Sequence, residues 1–436
     1  MEKSLINLGL IGFGNVGTGV LKILERNISH IESKIGARLR VKKIVDQDIT
    51  TPRNVKVSRE VLTTNVREIL DDPEIDIVVE LIGGYEPART YLLEAMKKGK
   101  HVVTANKALL ASYWLEIITT ASNYRVDIYF EASVGAGIPV IQSLNEGLSA
   151  NRIQSIYGIV NGTTNYILTH MTKEGKSFSQ ALKEARKQGY AEAEPRLDLE
   201  GIDSAHKICI LSAIAFGTSV KLEDIYTEGI THLQVADIRY AREEFDLVIK
   251  LLAIAKYQNQ ELEIRVHPTL IPQTHLLAAV ENVYNAIYVV GDAVGATMFY
   301  GLGAGQMPAA SAVVSDIMYL ARNIASGVAA RVPNVMPPDK IISPRIKKIE
   351  EIISRYYLRF SVVDQPGVLS HISGILGEHG ISISAVIQKE QKLENIVPVV
   401  MLTYEAQERE MRKALQKIDR LPVVKDSTVL IRVEKG

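Results

Sequence analysis

Between Gly189 and Lys207 the sequence GYAEAEPRLDLEGIDSAHK sets five carboxylates, on Glu192, Glu194, Asp198, Glu200 and Asp203, ahead of one lysine. The apolar run ICILSAIAFG follows directly. Written as a helix from Gly201, the segment puts Asp203 and Lys207 four residues apart on one face, with Ile210, Leu211 and Ile214 further along it. Lys207 then stands where the helix passes from polar to buried. Burial favours the neutral amine and a nearby carboxylate favours the ammonium, and that balance can tune an acid–base group. Such a lysine can donate to an alcohol oxygen and later take the proton back. Glu192 and Asp198 lie upstream, on a stretch that Pro195 is expected to keep non-helical. Burying their charges needs a cationic partner, which a zwitterionic substrate and Lys207 could supply together. A solvated acidic loop beside a structural Asp–Lys pair has the same spacing. On spacing alone that plainer reading is favoured.

A second constellation opens the chain. Gly12, Phe13, Gly14, Asn15, Val16 and Gly17 form a GxGxxG directly after the apolar run LINLGLIGFG and at the start of a helical pattern. Glycines there allow a tight turn and let backbone N–H groups approach a pyrophosphate at a helix N-terminus. Asp46 closes the next apolar run, where an acid can bond the ribose hydroxyls of NAD. Arg40, Arg53 or Lys56 could instead reach a 2′-phosphate, so NAD and NADP both remain open. LIGG, with Gly83 and Gly84, and TANK, from Thr104 to Lys107, fall at further strand ends, the edge where open α/β sheets bind ligands.

The elements that must position these groups are legible as alternation. LINLGLIGFG, RVKKIVD, IDIVVELIGG, KHVVTANK and VDIYFEASV are expected strands of a parallel sheet, with NVGTGVLKILERN and PARTYLLEAMKKG among its helices. From about Gly135 to Gly305 strands and helices mix less regularly, and a long apolar helix follows the glycine turn GLGAG. RVPNVMPPDK is dense in proline and is expected to be a linker. Beyond it the pattern is strand-helix-strand-strand-helix-strand, a ferredoxin-like arrangement.

Bulk composition bounds the function. The 436 residues suit two or three domains, and 47% hydrophobic content is ample for cores. Lysine plus arginine equals aspartate plus glutamate at 50 each, so no basic stripe argues for nucleic acid. The single cysteine, Cys209, excludes an internal disulfide and is expected to be a buried structural thiol. No apolar stretch reaches the ~20 residues of a membrane span. A soluble, cytoplasmic protein is expected.

The run from Ala185 to Lys207 resembles the signature of the homoserine dehydrogenase family. GFGNVG, VVELIGG, HVVTANKALLA, YFEASVGAGIPVI, GIVNGTTNYIL and YGLGAGQMPAASAV resemble that family's motifs in order, from Asn7 to about Leu320. Glu194 before Pro195 and the PAASAV sequence depart from the usual pattern. The resemblance implies an α/β chain: a Rossmann-type parallel-sheet domain (1–134), an α+β catalytic and dimerisation domain (135–320), a helix end and linker (321–350) and a ferredoxin-like ACT domain (355–433). It implies interconversion of L-homoserine and L-aspartate 4-semialdehyde with NADP or NAD, in threonine, methionine and isoleucine biosynthesis. Lys207 would donate the proton, Lys107 would assist and Asp203 would position Lys207. Glu192, Asp198 and Thr163 would hold the substrate. Gly303 would lie near the nicotinamide. A monovalent cation, sodium or potassium, would sit on the backbone carbonyls of Glu131, Val134, Ala136 and Ile138.

VVDQPGVLSHISGILGEHGISISAV resembles an ACT domain, an amino-acid-sensing module. Asp364, Pro366 and Gly367 turn into a helix N-terminus that could accept a carboxylate, and threonine is the implied effector. A purely dimerising role is the alternative. Removal of everything after about Asp339 is expected to leave catalysis intact and abolish threonine inhibition. A homodimer or homotetramer is expected, with no kinase segment ahead of the first strand. Two other readings compete: an oxidoreductase of a different amino-acid semialdehyde, which would not need the full run to Lys207, and a non-enzymatic sensor, in which Lys207 would be dispensable.

Overall fold

The computed structural model describes residues 3–328, 337–389 and 396–435. The chain divides into two units, one comprising Met1–Val160, Ala205–Glu223 and Tyr284–Pro344, the other Asn161–Ser204, Asp224–Val283 and Arg345–Gly436.

In the first unit the expected parallel sheet forms from Leu5–Ile11, Arg38–Val45, Leu62–Thr63, Ile77–Glu80, His101–Thr104 and Ile128–Tyr129. In space the order is third, second, first, fourth, fifth, sixth. The order reverses between Leu5–Ile11 and Ile77–Glu80, so the crevice beyond their carboxyl ends is the switch point where such sheets take ligands. The two-residue strand Leu62–Thr63 is too short to show a period and was not foreseen. The helix after the glycine turn runs Asn15–Ile35, beyond NVGTGVLKILERN, because Ile28, Ile31 and Ile35 continue its apolar stripe. VDIYFEASV is strand only at Ile128–Tyr129; Glu131–Ser133 is a tight helical turn. The long helix Gln306–Ala325 buries Ala310, Val313, Val314, Ile317 and Leu320 in the core of this sheet domain. The antiparallel strands Ile153–Ile159, Tyr284–Gly291 and Gly295–Leu302 complete the unit's sheets.

The second unit is built on a long hairpin, Leu247–Gln258 with Glu261–Pro272, paired over its full length. Its two-residue turn, Asn259 and Gln260, has both residues left-handed, which matches the twist of the flanking strands. The C-terminal pattern folds as expected. Ile353–Val363, Ile383–Gln388, Ile396–Thr403 and Val429–Val433 make a sheet in the order fourth, first, third, second. Helices Val368–Glu378 and Glu408–Ile418 bury Ile372, Leu376, Met411, Ala414 and Ile418 against it. Of the proline-rich linker, residues 331–336 lie outside the described residues.

This module is not merely tethered. Its last strand adds in parallel to Glu261–Pro272, with Thr269 opposite Arg432 and Leu270 opposite Val433. Arg265 and Arg432 are each 1% exposed; Arg265 pairs with Glu263 at 2.6 Å and with Glu434, and Arg432 with Glu228 at 2.9 Å and Glu408 at 2.5 Å. Cutting after Asp339 would expose the edge of Glu261–Pro272 and take Arg432 from Glu228 and Glu434 from Arg265, which costs several kcal/mol for buried pairs. The cut should therefore destabilise the second unit as well as remove the module.

Burial alone would raise the Glu434 carboxyl, but Arg265 and Lys256 hold it below the ordinary range. A carboxylate depressed in the folded state stabilises above its unfolded pKa and loses that contribution as pH falls through its folded value. The difference in Tm between the parent protein and Glu434→Gln should therefore be full at pH 7 and begin to close only below about pH 4.5. A gap that is constant down to pH 3.5 in thermal melts would refute this.

Candidate functional site

At the nucleotide edge the turn is sterically specified. A Cβ on Gly12 would lie 2.8 Å from the Leu81 carbonyl carbon, and one on Gly17 would lie 2.4 Å from the Gly12 oxygen. At Gly14, by contrast, a Cβ would meet no heavy atom within 4 Å among the described residues beyond its own chain neighbours. The turn is thus closed on its protein side and open outwards at the start of the helix Asn15–Ile35. That is the shape a pyrophosphate requires. Asp46 Oδ2 accepts the Phe13 N–H at 2.5 Å, and its Oδ1 accepts from Asp48 N at 2.9 Å. Arg53 lies over the Phe13 ring at 4.6 Å, donates to the Phe13 carbonyl at 2.6 Å, and stands 3.6 Å from Asp46 and 3.8 Å from Asp48. Arg40, a candidate for reaching a 2′-phosphate, is committed to Asn7 at 2.9 Å.

The neighbouring strand ends are organised by a residue that the sequence did not single out. Glu80 is fully buried; its Oε1 accepts from Ile82 N and Gly83 N at 2.9 and 3.1 Å, and its Oε2 accepts from Thr104 Oγ1 at 2.6 Å. One carboxylate thereby shapes both LIGG and TANK. Lys107 opens the helix Lys107–Tyr124, which Asn106 caps by accepting from Leu109 N at 3.1 Å. Gly303 follows the strand Gly295–Leu302, and its Cα faces the buried Asn285 amide. Gln306, also unforeseen, donates to Asn15 O and Asn15 Oδ1 at 3.0 and 2.8 Å, tying the GLGAG segment to the phosphate turn.

In the same unit Lys207, 8% exposed, donates from Nζ to the Val160 carbonyl at 2.5 Å. Its neighbour His206 is buried too, and burial lifts the Cys209 thiol to about 12, which removes it as a nucleophile. Glu131 is buried; its carboxylate accepts from Ile141 N and Gln142 N, each at 2.9 Å, and its own N–H donates to Asp316 at 2.8 Å. Desolvation pushes the Glu131 carboxyl up to about 7. Gly135 and Ala136 are consecutive left-handed residues, in a turn closed by Ile138 N donating to the Gly135 carbonyl at 3.0 Å.

In the second unit the acidic run is a structured turn. Pro195 starts a one-turn helix, Arg196–Leu199, so Asp198 is helical, contrary to the non-helical expectation; proline is tolerated there because the first N–H of a helix has no intrahelical partner. Asp198 Oδ1 accepts from Asn161 Nδ2 at 2.7 Å, and Asp203 Oδ2 accepts from the same nitrogen at 2.9 Å. Thr163 Oγ1 bonds Asp198 Oδ2 at 3.1 Å and the Tyr190 carbonyl at 2.7 Å. Glu192 is exposed, and none of the cluster's described bonds involves it. Asn161 is the residue missed here. It caps the helix Gly162–Glu174 through Oδ1 and bridges two carboxylates through Nδ2. Its signal was a helix-capping asparagine just ahead of GTTNY. In the C-terminal module Asp364, Pro366 and Gly367 are exposed, with Gly367 left-handed at the N-cap of Val368–Glu378.

Family models agree with this arrangement in three segments. The homoserine dehydrogenase NAD-binding domain matches residues 12–131, the homoserine dehydrogenase domain residues 139–318, and the ACT domain residues 356–423. A homoserine dehydrogenase of Neisseria gonorrhoeae is 43% identical over 430 residues, 98% of each chain. One of Bacillus subtilis is 40% identical over 434 residues, again 98% of each. The crystal structure of a homoserine dehydrogenase from Thiobacillus denitrificans superposes with a TM-score of 0.93 at 44% identity, covering 100% of both chains. With a full-length match of this kind, a closed phosphate turn and a buried lysine beyond an organised acidic turn, the chain belongs to the homoserine dehydrogenase family of oxidoreductases.

Proposed function

We propose that the protein interconverts L-homoserine and L-aspartate 4-semialdehyde with NAD or NADP, with Asp198 and Thr163 on the substrate's polar groups and Lys207 moving the proton. The observation that carries this reading is the convergence of Asp198 and Asp203 on one asparagine amide, on the chain that leads into buried Lys207. Two carboxylates gathered on one neutral amide suit an ammonium group. The exposure of Glu192 gives it, at most, a rim role in that binding. A nicotinamide cofactor, its pyrophosphate held at the glycine turn, would supply or take up the hydride. In reduction, Lys207 Nζ gives its proton to the aldehyde oxygen as hydride reaches the carbon. In oxidation, the neutral amine takes the hydroxyl proton. Asp203 positions Lys207 from the preceding helical turn, and Lys107 assists from the cofactor edge.

A monovalent cation would use the carbonyls of Glu131, Val134, Ala136 and Ile138; those of Glu131 and Ile138 already accept from Val134 N at 3.5 Å and Val140 N at 2.8 Å, and a carbonyl's second lone pair can still take an oxygen-seeking ion. Threonine fits the exposed turn at Asp364, Pro366 and Gly367, whose helix N-terminus can take a carboxylate. The same reading makes the protein a cytoplasmic homodimer or homotetramer serving threonine, methionine and isoleucine biosynthesis.

Lys207→Met should cut kcat for homoserine oxidation by roughly 10²- to 10⁴-fold while leaving the Kd for the reduced cofactor unchanged. Turnover within threefold of the parent enzyme would point to the sensor reading. Asp46 carries a charge that a 2′-phosphate would meet, and both nearby acids engage Arg53. Fluorescence titration should therefore give tighter binding of NADH than NADPH, with Asp46→Asn narrowing the ratio by about tenfold. Tighter NADPH binding by the unaltered protein would reverse the assignment. Millimolar threonine should inhibit, and Gly367→Val, which cannot hold the left-handed N-cap without strain, should relieve it. Equal inhibition of both proteins would exclude this turn as the effector site.

A further inference from the structure

We propose that the last strand of the ACT module is a positioning element for the substrate-binding turn: Arg432, through Glu228, fixes the segment Tyr226–Ile230 on which the turn Arg196–Gly201 is seated. The proposal rests on the reading of Asp198 as a substrate-binding carboxylate. Every residue in it belongs to the second unit.

The linkage begins with Arg432, on the strand Val429–Val433. Its guanidinium donates to both oxygens of the fully buried Glu408, at 2.9 and 2.5 Å, and to Glu228 Oε2 at 2.9 Å. Tyr226 completes the cluster, donating its hydroxyl to Glu228 Oε2 at 2.8 Å beneath the Arg432 guanidinium, 5.0 Å from the ring centroid. His232 approaches the other Glu228 oxygen at 3.3 Å. Burial alone would raise the Glu228 carboxyl, but His232, Arg432 and Tyr226 together hold it well below the usual range, so it stays ionised.

The next residue makes the mechanical contact. A Cβ on Gly229 would lie 2.2 Å from the Leu199 oxygen and 2.7 Å from the Glu200 Cα. Backbone is therefore pressed on backbone, with no flexible side chain between to absorb a shift. Ile230 N donates to the Leu199 carbonyl at 3.0 Å, and Gly201 N to the Asp198 carbonyl at 3.0 Å. Leu199 closes the single helical turn that carries Asp198. A displacement of Tyr226–Ile230 must move that turn, and with it the Asp198 carboxylate relative to Asn161 and Thr163. The ACT strand thus sets the geometry of a binding group it does not touch.

The test uses the full chain and three variants: Glu228→Gln, which removes the charge facing Arg432; Gly229→Ala, which forces the seat apart; and Glu434→Gln, which weakens the hold on the Arg265 side chain and leaves the hydrogen bonds of Glu228 and the Gly229 contact in place. Glu228→Gln and Gly229→Ala should raise KM for homoserine by about tenfold or more with a smaller change in kcat and no change in NADH Kd. Glu434→Gln should lower Tm but leave KM within twofold. If Gly229→Ala does not fold, Glu228→Gln alone carries the comparison. KM unmoved in a folded Glu228→Gln protein, or moved equally by Glu434→Gln, would overturn the proposal. Absence of homoserine turnover in the unaltered protein would instead overturn the functional reading on which it rests.

Discussion

Two carboxylates share one amide nitrogen: Asp198 and Asp203 both accept from Asn161 Nδ2. Like charges held this close repel, and partial burial strengthens the repulsion. The amide relieves it only in part, because a neutral donor offers hydrogen bonds and no charge. Asp198 also meets the Thr163 hydroxyl at 3.1 Å. The shared amide therefore fixes where both carboxylates stand, and in the reading proposed above it is there that a substrate ammonium would be met. Much else serves this constraint. Asn161 is held by its capping role on Gly162–Glu174, Asp198 by the one-turn helix after Pro195, and Asp203 by the start of Ile202–Phe216.

The same constraint explains what the amino-acid order revealed. Asp203 and Lys207 were legible because both sit on one helix, and a spacing of four residues fixes a face whatever surrounds it. The glycine turn was legible for a similar reason: its steric demands fall on Gly12 and Gly17, within a few residues of each other. Asn161 was not, since its partners lie 37 and 42 residues away and no local period links them. Glu80 escaped for the same reason. It ends an apolar strand where an acid looks like an edge residue, and only the adjacent strand brings Thr104 to it. The C-terminal module's internal order was readable from its strand and helix periods. Its attachment was not, because the pairing of Thr269 with Arg432 spans more than a third of the chain.

That attachment changes how the module is understood. A sensing domain on a free linker can influence a site only by docking and undocking. Here the last strand extends the hairpin strand Glu261–Pro272, and its arginine is satisfied by one acid from each side, Glu408 and Glu228. A buried ion cluster of this kind adds little net stability, since desolvation offsets most of the attraction. It does, however, make misregistration costly: shifting the strand by one residue would turn Arg432 to the opposite face and leave buried carboxylates unpaired. Register, rather than affinity, is what the cluster secures.

Such registration is what an effector needs if it is to act on catalysis by a small displacement. Packed interiors respond to strain by switching between discrete arrangements rather than by yielding gradually. Between the ACT strand and the acidic turn the contacts are of the stiff kind: a two-acid guanidinium clamp, a two-residue strand paired to Arg265 and Val266, and backbone seated on backbone at Gly229. An amino acid bound elsewhere on the module acts only if it has different affinities for two positions of this strand. With Asp198 on the substrate as proposed, contacts this stiff would carry whichever position it selects to that carboxylate.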